Sequence, residues 1–257
     1  MPTVQINDIE TYYERWGSGP PVVFVHGAVV DYTQWEPQLD ALSDAYTTIA
    51  YDVRGHGRTG GSDRETYSID RFADDLAALV AALELDRPVV CGLSLGGCIA
   101  QVYAERYPDG LSGLVLADTF GPTPLSPTEH VQRQLLGATV PLVRLFGYER
   151  VERAMMWFQE RLSKGVSGEY ENIEAIRASG PTMATEEFAK VIRALARFDE
   201  IPVGTGRFRS RRWSSMANTT RDSSESSRRH WRMQSGGPRF GKYPAPVTLR
   251  ISTTRTS

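Results

Sequence analysis

The chain has 257 residues, 40% of them hydrophobic, with 29 Lys+Arg against 31 Asp+Glu. That length suffices for one α/β core with an inserted subdomain and falls short of two full domains. No apolar run approaches the roughly 18–20 residues of a membrane span; no zinc or phosphate pattern occurs, so neither a metal nor a cofactor is expected. Met1-Pro2-Thr3-Val4-Gln5 lacks the basic-then-apolar pattern of a signal peptide. Cys91 and Cys98 read as small buried fillers in a reducing cytoplasm rather than as a disulfide. The formal charge of −2 conceals a split, because residues 201–257 carry 12 Lys+Arg and 2 Asp+Glu, a net of +10, which leaves −12 for residues 1–200.

Thr3–Ile6 and Glu10–Trp16 alternate apolar and polar residues like a hairpin broken by Asn7-Asp8 and closed by Gly17-Ser18-Gly19-Pro20. Pro21-Val22-Val23-Phe24-Val25 is a continuous apolar run, as expected of a strand buried on both faces, and Tyr46–Tyr51 reads as a second such strand. Asp70–Leu83 sets Phe72, Leu76, Leu79 and Val80 at helical spacing, with Arg71, Asp74 and Asp75 assigned to the other face. Val89–Cys91 and Leu114–Ala117 are two more buried strands. Strands alternating with helices predict a parallel, right-handedly wound sheet with ligands at the C-terminal strand ends. His26, Ser94 and Asp118 all fall at such ends.

The most informative stretch is Gly92-Leu93-Ser94-Leu95-Gly96-Gly97, lying directly between the strand ending at Cys91 and the helix-like Cys98–Ala104. This is G-x-S-x-G in the setting of a nucleophile elbow. A strand that turns at once into a helix forces the serine into a strained backbone, and side chains two residues either side would clash. Gly92, Gly96 and Gly97 remove them. The helix start then aims unpaired N–H groups at the place where an oxyanion would develop.

With these motifs in order, residues 1–200 resemble the α/β-hydrolase fold family, in the branch of small esterases, 3-oxoadipate enol-lactonases and cofactor-free haloperoxidases. The matching pieces are His26-Gly27 after the third strand, Asp52-x-Arg54-Gly55-His56-Gly57 after the fourth, the elbow after the fifth, and Leu114-Val115-Leu116-Ala117-Asp118 as the sixth. The resemblance implies that Ser94 is the nucleophile and that the N–H groups of Leu95 and Ala28 form the oxyanion hole. Such donors typically matter by about 2.7–4 kcal/mol each when removed. A serine at this position argues against the dehalogenases and epoxide hydrolases of the fold, which place an aspartate there. His26 would shape the oxyanion loop, Trp35 is a candidate wall of the pocket, and His56 reads equally as a turn residue. Asp118 is open between two roles: the triad acid, or a turn residue at the entry of the cap.

Residues 122–198 resemble the helical cap inserted after the sixth strand, following a core over residues 1–121. Ser126-Pro127-Thr128-Glu129 is a helix-start signature. Val131, Leu135, Leu136, Val140 and Leu145 are expected on one apolar face. Val151, Met155, Met156 and Phe158 suggest a second helix, and Phe188, Val191, Ile192 and Leu195 a third. The pocket beneath is expected to suit a small, uncharged or weakly polar ester or lactone.

Beyond residue 198 the pattern stops. The resemblance calls for a seventh strand leading to an acid, and later for a Gly-His with the base. Residues 199–257 offer neither, and residues 201–257 hold 11 Arg, 10 Ser and 7 Thr instead. His230 lies here with nothing to position it. Trp213, Trp231, Phe208 and Tyr243 among arginines suggest base stacking, but the tail has no helical period, zinc spacing or RNA-binding motif, so no nucleic-acid partner is expected. Another explanation lies in the codons. Taking the third base of each codon with the first two of the next, Phe208–Thr220 permits Ile-x-Val-Pro-Thr-Leu-Val-Val-Tyr-Gly-Glu-His-Asp. In the same frame Phe240–Arg255 permits Val-Arg-Glu-Val-Pro-Gly-Ala-Gly-His-Ala-Ser-Asn-Leu-Asp-Asn-Pro. The hidden Asp spans codons 219/220 and the hidden His codons 247/248, a separation of 28. The expectation is therefore a frameshift between Asp199 and Phe208, a disordered basic tail and missing C-terminal strands. The lineage is a serine hydrolase of small esters or lactones, inactive as written for want of its histidine; the competing class is a non-catalytic, ligand-binding relative of such hydrolases.

Overall fold

A computed structural model of the chain describes residues 2–122, 127–147, 150–151, 183–201, 210–211 and 247–251. Two strands, β1 (Thr3–Ile6) and β2 (Ile9–Trp16), form the antiparallel hairpin that the alternation predicts. β2 then pairs antiparallel with β4 (Thr47–Tyr51), which lies parallel to β3 (Pro21–Val25). β5 (Val89–Leu93) and β6 (Gly113–Ala117) extend the parallel sheet from β3. Central position explains the unbroken apolar runs, since alternate residues face opposite layers and both are covered. Val23, Val25, Ile49, Tyr51, Val90 and Leu114 share a cluster with α2 (Ile69–Ala82) and α3 (Leu95–Arg106). Val22, Phe24, Ala50 and Cys91 pack with Leu39 of α1 (Glu36–Leu42) and with the short 3-10 turn Tyr32–Trp35.

Ser68 caps α2, its hydroxyl accepting from the Arg71 N–H at 3.2 Å. Phe72, Leu76 and Leu79 are buried as expected, but Asp75 is buried with them. Positions 72, 75, 76 and 79 follow the i, i+3, i+4, i+7 spacing of one helix face, so Asp75 belongs to the core side rather than the opposite one. Its charge is met there by Arg54, whose Nε and Nη2 donate to the two carboxylate oxygens at 2.7 and 2.8 Å. Nη2 also donates to Asp8 at 2.7 Å, and the guanidinium holds the Asp8 carboxyl well below the usual carboxylate range.

Past β6 the chain enters α4 (Pro127–Phe146), which starts at the second residue of its helix-start signature, and α5 (Thr185–Ala196) packs against it. Phe188, Val191, Ile192 and Leu195 of α5 are all buried. The expected face of α4 splits in two. Val140 and Val143 are buried with Leu136 packed beside them, whereas Val131, Leu135, Leu142 and Leu145 are exposed. At about 100° per residue the two sets lie on different sides of the helix, so they cannot face one neighbour together. The second cap helix expected around Met155 falls outside the described residues, as does most of the tail.

The sheet does not stop at β6, where the sequence suggests an open edge. β7 (Ser210–Arg211) and β8 (Val247–Ile251) continue it, giving the order β1-β2-β4-β3-β5-β6-β8-β7. β8 runs parallel to β6, from Gly113 opposite Val247 to Ala117 opposite Ile251. Val-Thr-Leu-Arg-Ile alternates and is rich in β-branched residues, which suits an edge that needs a hydrogen-bonding partner. Among the described residues no helix is long and apolar enough to cross a membrane.

The Arg54–Asp75 pair makes a stability prediction. Arg54→Met leaves a buried carboxylate without its cation and is expected to cost about 3–5 kcal/mol. Adding Asp75→Asn should recover part of that loss. Urea unfolding of the single and double variants measures both.

Candidate active site

Ser94 sits between β5 and α3 with φ 51° and ψ −112°. A non-glycine residue in that left-handed region stores strain and persists only where its surroundings leave no alternative. Those surroundings are crowded with backbone. A Cβ on Gly92 would run into the carbonyl of Gly96, one on Gly96 into the carbonyl of Val25, and one on Gly97 into the Thr119 side chain at 2.5 Å. The elbow thus closes only with glycine at all three places. Four hydrogen bonds fix its backbone. The Ser94 N–H donates to Ala117 O at 3.1 Å, while the Ser94 carbonyl accepts from Gly97 N–H at 3.0 Å, Cys98 N–H at 3.1 Å and the Thr119 hydroxyl at 2.7 Å. Thr119 therefore holds the elbow from the exit of β6. No described residue accepts a hydrogen bond from the N–H of Leu95 or of Ala28. The N–H of neighbouring Gly27 is engaged by Gln34 Oε1 at 2.8 Å, which pins the segment leaving β3.

His26 is fully buried. Its Nε2 accepts from the Val53 N–H at 2.9 Å, which leaves the proton on Nδ1 to donate to Gly27 O at 2.7 Å. Both ring nitrogens are thereby used in joining the ends of β3 and β4. His56 is buried against it, ring centroids 4.9 Å apart, with Nδ1 directed at the carbonyls of Val53 and Arg54. Burial pushes His26 down to about 4 and, with the neighbouring imidazole adding to it, His56 down to about 3. Asp52 is buried beside this turn, accepting from Tyr32 N–H at 2.8 Å and Arg58 N–H at 2.7 Å. Burial raises its carboxyl to about 6 despite those two donors. Trp35 is buried against Phe24, ring centroids 5.0 Å apart. Asp118 is exposed at the end of β6 with φ 40°, and its carboxylate makes no hydrogen bond or ion pair to a described residue. Among the described residues no cluster of His, Cys, Asp and Glu could hold a metal ion.

These groups set the acid response. The two depressed histidines contribute stability that is complete above about pH 6.5 and lost as the pH falls toward their folded values. Asp52 acts oppositely: its contribution is complete below its ordinary value near 3.8 and is lost as the pH rises through about 6. Between pH 6 and 4.5 unfolding takes up protons on two histidines and releases one from Asp52, so stability should fall with acidification. In His56→Gln one histidine remains against one aspartate, and these terms should nearly cancel. Urea midpoints measured across that range check both slopes.

Comparison with known proteins agrees with the geometry. Residues 20–146 match the alpha/beta hydrolase fold family. The chain is 38% identical over 125 residues to a non-heme chloroperoxidase of Kitasatospora aureofaciens, covering 48% of this chain and 45% of that protein. It is 26% identical over 204 residues to 3-oxoadipate enol-lactonase 2 of Acinetobacter baylyi, covering 78% of this chain and 72% of that one. The chain thus spans less than half the length of the chloroperoxidase and nearly three quarters of the lactonase. A solved structure of a thermophilic esterase from Thermogutta terrifontis superposes with a TM-score of 0.62 at 30% identity, covering 79% of this chain and 74% of that one. A strained serine between β5 and α3, a parallel sheet in this strand order and these relatives converge: the chain belongs to the α/β-hydrolase fold family.

Proposed function

We propose that the chain descends from cytoplasmic serine hydrolases that cleave a small carboxylic ester or lactone through an acyl-enzyme on Ser94, and that it lacks its general base as written. The observation that carries this reading is the left-handed Ser94, held between Ala117 and Thr119 where only glycines fit around it. In the forward reaction Ser94 Oγ attacks the carbonyl carbon as its proton passes to a base. The oxyanion forms against the N–H groups of Leu95 and Ala28, and collapse expels the alcohol, which takes up that proton. Water then cleaves the acyl-serine by the same steps in reverse order. Leu95 N–H opens α3, so the helix adds its positive end to the developing charge.

Neither His26 nor His56 is free to act as the base, because each is buried and His26 has both nitrogens engaged. The frameshift reading supplies the missing parts: an Asp after a seventh strand and a His about 28 residues later. That His would take the Ser94 proton while the Asp fixed its tautomer. The buried state of His26 and His56 equally favours one second reading, a ligand-binding protein that holds the substrate class without turning it over.

A short p-nitrophenyl ester separates these. The chain as written should show little turnover, since a serine without its histidine loses several orders of magnitude in rate. Restoring the alternative frame between Asp199 and Phe208 should raise kcat/KM by about 1,000-fold or more, and Ser94→Ala should abolish the gain. Changing the restored Asp to Asn should then cost far more than Asp118→Asn; the opposite ranking puts the acid after β6. Failure of the restored frame to recover turnover favours the ligand-binding reading. A burst from the chain as written, lost in Ser94→Ala, would instead mean that another residue of this chain serves as the base.

A further inference from the structure

α5 meets the chain that follows β4 through the side chains of Glu187 and Lys190. Glu187 is mostly buried, and its carboxylate lies where two glycines leave room for it. A Cβ on Gly55 would stand 3.2 Å from Glu187 Oε2, and one on Gly61 would collide with the carboxyl group. The Tyr67 hydroxyl donates to Oε2, and Lys190 Nζ donates to Oε1 at 2.7 Å and to the Ser62 carbonyl at 3.0 Å. The Lys190 ammonium also lies 5.1 Å from the centre of the Tyr67 ring, and the Ser62 N–H donates to the Tyr67 hydroxyl at 3.0 Å. Tyr67–Glu187 and Lys190–Ser62 join α5 to residues 61–67, while Lys190–Glu187 and Ser62–Tyr67 brace the two sides of the clasp.

The clasped turn leads back to β3. Gly55 N–H donates to Gly60 O at 2.6 Å and His56 N–H to Val53 O at 2.9 Å, so residues 53–60 form one hydrogen-bonded loop. From that loop the Val53 N–H reaches His26, and His26 reaches Gly27 O, immediately before Ala28. Glu187 meets the loop by close contact at Gly55, and the two bonds at His26 are buried and directional, so in so dense a region a displacement of the loop moves its partners with it.

We propose that Glu187 is a positioning residue: seated against Gly55 and Gly61 and held by Tyr67 and Lys190, it couples the placement of α5 to the Gly27–Ala28 segment through residues 53–60 and His26. The functional weight of this coupling rests on the reading of Ala28 N–H as an oxyanion donor. In that case the position of α5 sets the position of the donor, and a substrate that displaces α5 also retunes the oxyanion hole.

Hydrogen exchange of the full chain, followed by mass spectrometry without substrate, tests the coupling. Glu187→Ala should speed exchange about tenfold in three places together: α5, residues 61–67 and residues 26–30. The amides of α3 should keep their wild-type rates. Glu187→Gln keeps the length and an acceptor oxygen, and should retain most of the protection at residues 26–30. Tyr67→Phe removes a single hydroxyl and gives the same three-site pattern at smaller amplitude should Glu187→Ala fail to fold. Acceleration confined to α5 and residues 61–67, or absent altogether, overturns the proposal. Because no turnover is measured, coupling without ester hydrolysis in the frame-restored chain would sink the hydrolase reading alone.

Discussion

Backbone crowding at the β5–α3 turn is the constraint on which the rest of this structure depends. Gly96 lies so close to the exit of β3 that the Val25 and His26 carbonyls occupy the space of any Cβ there. β3 and β5 can therefore be neighbours, with α3 packed over both, only if positions 92, 96 and 97 carry no side chain. The same closeness leaves Ser94 one conformation, in a region that a free chain avoids. Strain of that kind costs of order 1–3 kcal/mol and is held by the surrounding bonds, here from Ala117 and Thr119. The serine is presented by the same geometry that closes the sheet, so its presentation and the fold share one cause.

Around the β4 exit the chemistry is of another sort. Asp52, Arg54, His26 and His56 are all buried within a few residues of one another along or across the sheet. Arg54 is matched by two carboxylates, and Asp52 by two backbone donors. Buried charges demand such partners, because desolvation otherwise exceeds any gain. The turn is thus over-determined by polar bonds while the elbow is over-determined by contact. His26 joins that turn to Gly27 at the exit of β3.

Much of this was legible in the chain. The apolar runs announced β3 to β6, because a strand covered on both faces needs no polar residue along its length. Ser94 and its three glycines could be read because backbone crowding admits no other residue type. Charge pairing across the sequence left less trace. Asp75 looks like a solvated residue until Arg54, 21 positions earlier, is brought against it. Likewise the apolar residues of α4 say that something covers them without saying which neighbour does, since a helix wide enough in apolar surface can offer two faces. Thr119 and Glu187 act through contacts fixed only by the assembled fold, and no periodicity or motif marks them.

The tail divides fold from chemistry most sharply. A sheet edge asks only for alternating N–H and C=O groups with tolerable side chains, and Val247–Ile251 meets that demand beside β6. Backbone pairing is almost indifferent to which residues supply it. Nucleophilic catalysis has no such tolerance, for a base must bring one imidazole nitrogen within hydrogen-bond reach of a single hydroxyl. A chain that changed frame after α5 could therefore still extend its sheet, because many sequences can pair as a strand, and still lack its base, because very few can place a histidine. On that view the +10 charge of residues 201–257 is a property of codons read out of step rather than of a binding surface.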